Sequence, residues 1–282
     1  MIVPVRNEEQ YVEEQLDALV AQTYTGTWEL VVVDNGCRDR TIEVVEGRRD
    51  RLPRLTVVDA RGRAGLNYAR NRGVEAARGE LLCFCDGDDV VCAAWLDELV
   101  RAARTADIVS GQCEHHLLND DVRKSWRPVE QQVDLNRHPG FLPYASGGNC
   151  AVWAEVAREI GWDEGFRFGS SDIEFSFRAQ FASRRIVFAP GAVVHVRHRE
   201  CLRGLLRQYY AYGRSGPQLY RAFRAHGMPR DTVGEMLGRW RWLVRYSVRN
   251  LRRPHRRVHW LRHAAVSTGR LVGSIRWRVL YL

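Results

Sequence analysis

The sequence predicts an α/β protein: a mainly parallel central sheet flanked by helices, followed by a basic helical extension at the C-terminus. Three observations predict it. Short runs rich in Val and Leu alternate with helical periodicities, the rhythm of βαβ units whose parallel strands are covered on both faces. Polar clusters follow three of these runs, and open α/β sheets bind ligands at the carboxyl ends of their strands. The charge is also divided. From Arg197 onward there are 20 arginines against three acidic residues, so a total of +9 separates into +17 there and −8 before it.

The chain of 282 residues, 45% of them hydrophobic, can bury roughly three quarters of its unfolded surface. "MIVPV" is the first strand, and its place at the very start suggests that a few residues precede it. A helix over about Glu9 to Gln22 puts Val12, Leu16, Leu19 and Val20 on one face. "WELVVVD" and "RLTVVDA" are the second and third strands, a helix covers about Leu66 to Ala77, and "ELLCFCD" and "ADIVSG" are the next two strands. "YASGGNCAVWAEVAREIGWDEGFRFGSSDIEFSFRAQ" reads as a glycine-rich loop, a short helix over about Ala154 to Ile160, an aromatic-glycine loop and a helix starting near Ser171. "RRIVFAPGAVVHVRH" reads as two short strands around a Pro-Gly turn. In the tail, Trp240, Leu243, Val244, Val248 and Leu251 recur at helical spacing, as do Val258, Leu261, Ala265, Val272, Ile275 and Val279, with arginines between them.

The seven cysteines lack paired C-x-x-C spacing and read as small reduced core residues. No signal peptide is visible, and no apolar run reaches the length of a membrane span. The basic segment with its tryptophans would attract phosphate, yet no recognition motif accompanies it, so no nucleic-acid partner is expected. Basic amphipathic helices of this kind either lie on an anionic membrane surface or pack their apolar faces on the preceding domain.

The polar clusters are "RNEE", "DNGCRDRT" and "DGDD". In the last, Asp86 and Asp88 flank Gly87 where a buried strand opens into solvent. Two hard oxygen ligands there can hold Mg²⁺ or Mn²⁺ against a phosphate, and the glycine allows close approach. Taken alone, the pair is better read as Asp88 and Asp89 capping a helix that starts near Cys92. An EF-hand is excluded, because Val91 stands where the calcium loop needs glycine. Asp34 alone reads as a turn residue before Gly36, Asp39 and Thr41 as a helix cap, Arg70 as half of an ion pair, and His195 as a structural strand histidine. Ser171 and Glu174 have capping-box spacing.

Taken in order, "VPVRNEE", "VVVDNGCRDRT" and "RAGLNYARNRGVEAARGELLCFCDGDD" resemble the nucleotide-binding half of family-2 glycosyltransferases of the GT-A fold, a resemblance covering about residues 1 to 200. It implies a nucleotide-sugar-binding half (1–112), an acceptor and catalytic half of the same domain (113–200) and the basic amphipathic extension (201–282). It further implies inverting, metal-dependent transfer of a sugar from a nucleotide-diphosphate donor to a hydroxyl of a glycan or lipid-linked acceptor, with Mn²⁺ or Mg²⁺ as cofactor. Donor-site positions carried over are Pro4, Arg6 and Glu8, Asp34 for the base, Arg70 of "ARN" for the nucleotide, and Asp86 and Asp88 for the ribose and the metal-bound diphosphate. Cys37 departs from the usual serine. Asp172 matches the catalytic base, although Ser171 stands where the family often has Glu. His195 is the implied third metal residue beside Asp86 and Asp88, with His198 as substitute.

On the acceptor side the resemblance points to Gly147, Gly148 and Asn149, with Trp162 and Phe168 flanking a sugar ring and Glu174 nearby; for the aromatics, ordinary core packing is an equal reading. The expected location is cytoplasmic, peripheral on the inner face of the cell membrane. Two alternatives remain open at this level: a polyprenyl-phosphate sugar synthase, and a non-catalytic nucleotide- or glycan-binding protein at the membrane. A nucleotidyltransferase is disfavoured, because "VPVRNEEQ" has no glycine-rich phosphate loop.

Overall fold

The structure, a computed structural model, describes residues 1–52, 54–167 and 169–282, the side chain of His255 apart. The first half is β1 (Ile2–Val5), α1 (Val12–Val20), β2 (Val31–Asp34), α2 (Thr41–Glu46), β3 (Thr56–Asp59), α3 (Leu66–Ala76) and β4 (Leu81–Cys85). There follow β5 (Val90–Val91), α4 (Trp95–Ala103), β6 (Ile108–Glu114), α5 (Asp121–Trp126), β7 (Asn136–Arg137), β8 (Pro143–Tyr144), β9 (Asn149–Trp153), α6 (Ala154–Ile160), α7 (Ser171–Phe181) and β10 (Ile186–His195). The C-terminal helices are α8 (Leu202–Phe223), α9 (Val233–Arg245), α10 (Ser247–Leu251) and α11 (Pro254–Trp277).

The main sheet has the order β3-β2-β1-β4-β9-β6-β10-β5, and four of its seven pairings are parallel. Side chains alternate between its faces. Val3, Val5 and Val32 meet Leu16 and Trp95 on one side, while Ile2, Val31 and Val33 meet Phe84, Trp162 and Phe175 on the other. Two cores therefore hold the sheet, and β1, β2 and β4 are apolar at nearly every position for that reason, while edge strand β3 is polar at both ends. All seven cysteines are free.

Several expectations are corrected. The stretch read as a glycine-rich loop contains β9, a buried strand that runs antiparallel between β4 and β6. "NCAVW" is too short and too evenly apolar for periodicity to separate it from the helix that follows. β10 is one strand, not two around a turn. Its register slips between Ala189 and Val193, yet both parts run parallel to β6, so the Pro-Gly pair makes a bulge rather than a reversal. Helix α4 starts at Trp95, with Ala94 as its cap and no side-chain capping bond; Asp88 and Asp89 cap nothing. The residue capping α2 is Arg40, while Asp39 reaches in from one position further out to accept from the Thr41 amide at 3.1 Å and the Thr41 hydroxyl at 2.6 Å.

Helices α8 and α11 pack at unusually close range. A β-carbon added to Gly269 would collide with the Tyr210 carbonyl oxygen, and one added to Gly213 with the Val266 carbonyl oxygen. Backbone lies directly on backbone, so a larger side chain has nowhere to go. Gly269→Leu is expected to cost about 1–3 kcal/mol by overpacking, seen as a lower urea midpoint with an unchanged slope.

Candidate active site

The site is built on the carboxyl end of β4. Buried Cys85 is followed by a loop, residues 86–89, that β5 closes. Gln15, fully buried on α1, clamps this loop at both ends: its amide nitrogen donates to the Asp86 carbonyl at 3.1 Å, and its amide oxygen accepts from the Val91 N–H at 3.1 Å. Carboxylate oxygens of Asp86, Asp88 and Asp89 consequently lie within 4.8 Å of one another. Burial and the neighbouring Asp86 raise the Asp88 carboxyl, and burial with repulsion from Asp88 and Asp86 raises Asp89 well above the ordinary range. Glu8 joins this cluster, and one of its oxygens is buried without a hydrogen-bond partner. Burial, then Asp88 and Asp86, push its carboxyl up to about 8. Gly87 is required here, since a β-carbon would strike Glu8 and come within 2.8 Å of Val5.

Hard anionic oxygens crowded this closely fit a divalent cation, and Asp86 and Asp88 have the freer groups. Asp89 is already engaged, because it accepts from the Arg197 N–H at 2.8 Å. The segment after β10 wraps the loop further: the Arg197 side chain donates to the Asp88 carbonyl at 3.0 Å and pairs with Glu14 at 2.7 Å, and Arg199 lies 3.3 Å from the Asp88 carboxylate.

On the donor side, Asp34 accepts from the Gly36 and Cys37 amides at 2.9 and 2.8 Å and turns its second oxygen toward Arg61 at 3.9 Å. It thus shapes its turn and still presents an oxygen at the sheet edge. Arg70 is 3% exposed, stacks on the Trp162 ring at 4.6 Å and sits 3.8 Å from Asp86. Arg6 is exposed at the end of β1, and Pro4 is buried within that strand.

The Gly147–Gly148 loop ties the two halves together. A β-carbon on Gly147 would lie 2.9 Å from the Arg70 guanidinium, and one on Gly148 would lie 2.5 Å from the Asp86 carboxylate. The Gly147 N–H also points to the Asp172 carboxylate at 3.4 Å. Asp172, at the start of α7, and the acidic cluster line one cleft of about 630 Å³. Its other walls include Arg127 and Tyr144 from the middle of the chain, and Tyr212 and Arg270 from α8 and α11. The sequence assigned none of them a role: Arg127 follows α5, Tyr144 is in β8, and Tyr212 and Arg270 lie on helices whose sequence shows only composition.

Five expected site residues are placed elsewhere. The Nδ1 of His195 is held by Glu114 at 2.9 Å, outside the acidic cluster; Asp89, not His195, is the third group beside Asp86 and Asp88. His198 is buried against His115 at 3.2 Å. Asn149 is wholly buried, accepting from the Trp95 indole and spending both amide donors on the Gln112 and Ala192 carbonyls, so it does not reach an acceptor. Trp162 is buried in a stack with Phe175, ring centroids 4.2 Å apart. Glu174 is neither a cap nor an acceptor contact: it is buried in an ion pair with Arg178, whose guanidinium also donates to the Ile160 and Gly161 carbonyls. Phe168 lies outside the described residues.

The architecture is the GT-A fold. Mannosyltransferase PcManGT from Pyrobaculum calidifontis, solved with GDP-Man and Mn²⁺, shares the fold with a TM-score of 0.62 over 96% of this chain and 85% of its own, at 19% identity. TarS 1-349 of S. aureus in complex with UDP gives 0.56 over 100% and 92%, also at 19% identity. Residues 1–161 match the family model for glycosyl transferase family 2, and the chain belongs to that family. The uncharacterized glycosyltransferase EpsJ of Bacillus subtilis is 34% identical over 49% of this chain and 38% of its own length. Glycosyltransferase AglE of Haloferax volcanii is 27% identical over 67% of this chain and 63% of its own. The chain thus spans less than two thirds of the length of these relatives.

The carboxyl of Glu8 makes stability pH-dependent. Its folded-state value is raised from 4.5 to about 8, so the folded state keeps a proton that the unfolded chain has lost across that window. The contribution is complete below about 4.5 and disappears as the pH rises through about 8. In metal-free protein, denaturation at a series of pH values should show stability falling across this range, and Glu8→Gln should remove up to one proton's share of the slope.

Proposed function

We propose that the protein is an inverting, divalent-metal-dependent glycosyltransferase that moves a sugar from a nucleotide-diphosphate donor to a hydroxyl group. The observation that carries this reading is the Gly147–Gly148 loop, which lies against Arg70 and Asp86 on the donor side and reaches Asp172 on the other. A donor anomeric carbon and an acceptor oxygen entering the same cleft would meet at this loop. The nucleotide-sugars bound by structural neighbours, UDP-GlcNAc in TarS and GDP-Man in PcManGT, name the first donors to test.

In this reading Asp34 and Arg70 hold the nucleotide, and Arg199 stands beside the diphosphate. A Mn²⁺ or Mg²⁺ ion held by Asp86 and Asp88 would supply neutralisation of the charge that develops on the leaving diphosphate. Asp172 accepts the proton of the acceptor hydroxyl as that oxygen attacks the anomeric carbon from the face opposite the leaving group. A single displacement inverts the stereochemistry. A general base of this kind is worth about 10²–10⁴ in rate, or roughly 3–5 kcal/mol. A polyprenyl-phosphate sugar synthase would need no such base, because its acceptor is already an anion, and the place of Asp172 in the cleft favours a hydroxyl acceptor. The intact acidic cluster argues against a non-catalytic binding protein.

The acceptor is a glycan or a lipid-linked glycan. The arginine excess of the C-terminal segment favours work at the inner face of an anionic cell membrane. Asp172→Asn should reduce sugar transfer from UDP-GlcNAc or GDP-Man by about 10²–10⁴ while leaving nucleotide affinity unchanged. Full turnover in this variant would remove Asp172 from the mechanism.

A further inference from the structure

Helices α9 and α10 follow one another with only Tyr246 between them. Their inner face is spent on packing: Met236, Leu243 and Asn250 are buried, and the Leu243 carbonyl accepts from the Trp260 indole of α11 at 3.1 Å. A second apolar row faces solvent. It consists of Val233, Leu237, Val244, Val248 and Leu251, with Leu237 61% and Val244 74% exposed. At about 100° per residue these five positions fall within an arc of roughly 60°. Isolated exposed aliphatics need no explanation, but an aligned row does.

One flank of this row is basic. Arg241, Arg245, Arg249 and Arg252 are all exposed, and among the described residues none of them meets a carboxylate. Residues 236–282 hold twelve arginines and no Asp or Glu. A surface pairing an aliphatic row with an unbalanced row of guanidinium groups limits what can cover it. A second copy would bring arginines against arginines. A nucleic acid would satisfy the charges but not the aliphatic side chains. An anionic bilayer satisfies both, taking the aliphatic row into its acyl boundary and the arginines onto its phosphates. Among the described residues no helix is long and apolar enough to cross a membrane, so the geometry is that of a helix lying in the interface.

We propose that the solvent-facing row of α9–α10 seats in the surface of an anionic membrane, with Arg241, Arg245, Arg249 and Arg252 on lipid phosphates. Because α9 rests on α11, and α11 with α8 walls the cleft, docking would hold the cleft beside the bilayer and favour a lipid-linked acceptor. That last consequence rests on the glycosyl-transfer reading; the docking itself does not.

The test is co-sedimentation of the full chain with vesicles of phosphatidylglycerol and phosphatidylcholine, against vesicles of phosphatidylcholine alone. Wild type should bind the anionic vesicles and not the neutral ones. Leu237→Asp with Val244→Asp should lower that binding at least about tenfold, and Arg241→Gln, Arg245→Gln and Arg249→Gln together by about 100-fold. All five positions are solvent-exposed, and circular dichroism with nucleotide binding checks that the variants fold. Wild-type binding that the aspartates leave unchanged overturns the proposal, as does equal binding to neutral vesicles, no vesicle binding, or self-association through this face in sedimentation. Wild-type protein that binds the vesicles but no nucleotide would instead count against the enzymatic reading.

Discussion

The crowding of Asp86, Asp88, Asp89 and Glu8 at the end of β4 is the constraint on which the rest of the site depends. Carboxyl groups this close cannot all ionise in a partly buried setting without a compensating charge. The protein supplies part of it through Arg70 and Arg199, while the Arg197 backbone N–H donates to Asp89. The remainder is left as a strongly oxygen-rich corner that suits a divalent cation. Gln15 keeps the loop from relaxing away from this repulsion by clamping it to α1 at both ends.

The second half of the chain completes the site by bringing the Asp172 carboxylate to this corner. β9 crosses between β4 and β6, so the Gly147–Gly148 loop that precedes it is delivered directly over Arg70 and Asp86. Two glycines in a row are needed because these side chains leave no space for a β-carbon. Asp172, at the start of α7, then faces the same cleft. Buried Asn149, Trp162 and Glu174 serve this arrangement from behind, holding β9, α3 and α7 in place rather than touching an acceptor.

Much of this was legible from local pattern. Valine-rich runs buried on two faces announce parallel strands, and "DGDD" directly after such a run marks a strand-end site. The local pattern placed Asp86 and Asp88 with Gly87 at a strand end, Asp34 in a turn and Asp172 at a helix start, while the roles given to Asp34 and Asp172 came from the family resemblance. What was not legible depends on distant packing. Gln15 clamps a loop 71 residues away, Arg197 closes on Asp89 over 108 residues, and the walls from α8 and α11 exist only once those helices meet through Gly213 and Gly269. His195 shows the converse error: the resemblance implied a ligand where the residue alone reads as structural, and Glu114, its partner across the β6–β10 pairing, holds it outside the acidic cluster.

Whether the acidic corner binds a nucleotide diphosphate through a divalent cation is decided by calorimetry of UDP and GDP with and without Mn²⁺, comparing wild type with Asp88→Ala. Binding of one nucleotide that requires Mn²⁺ and disappears in Asp88→Ala is the predicted result. Binding that ignores the metal, or survives in Asp88→Ala, would contradict it.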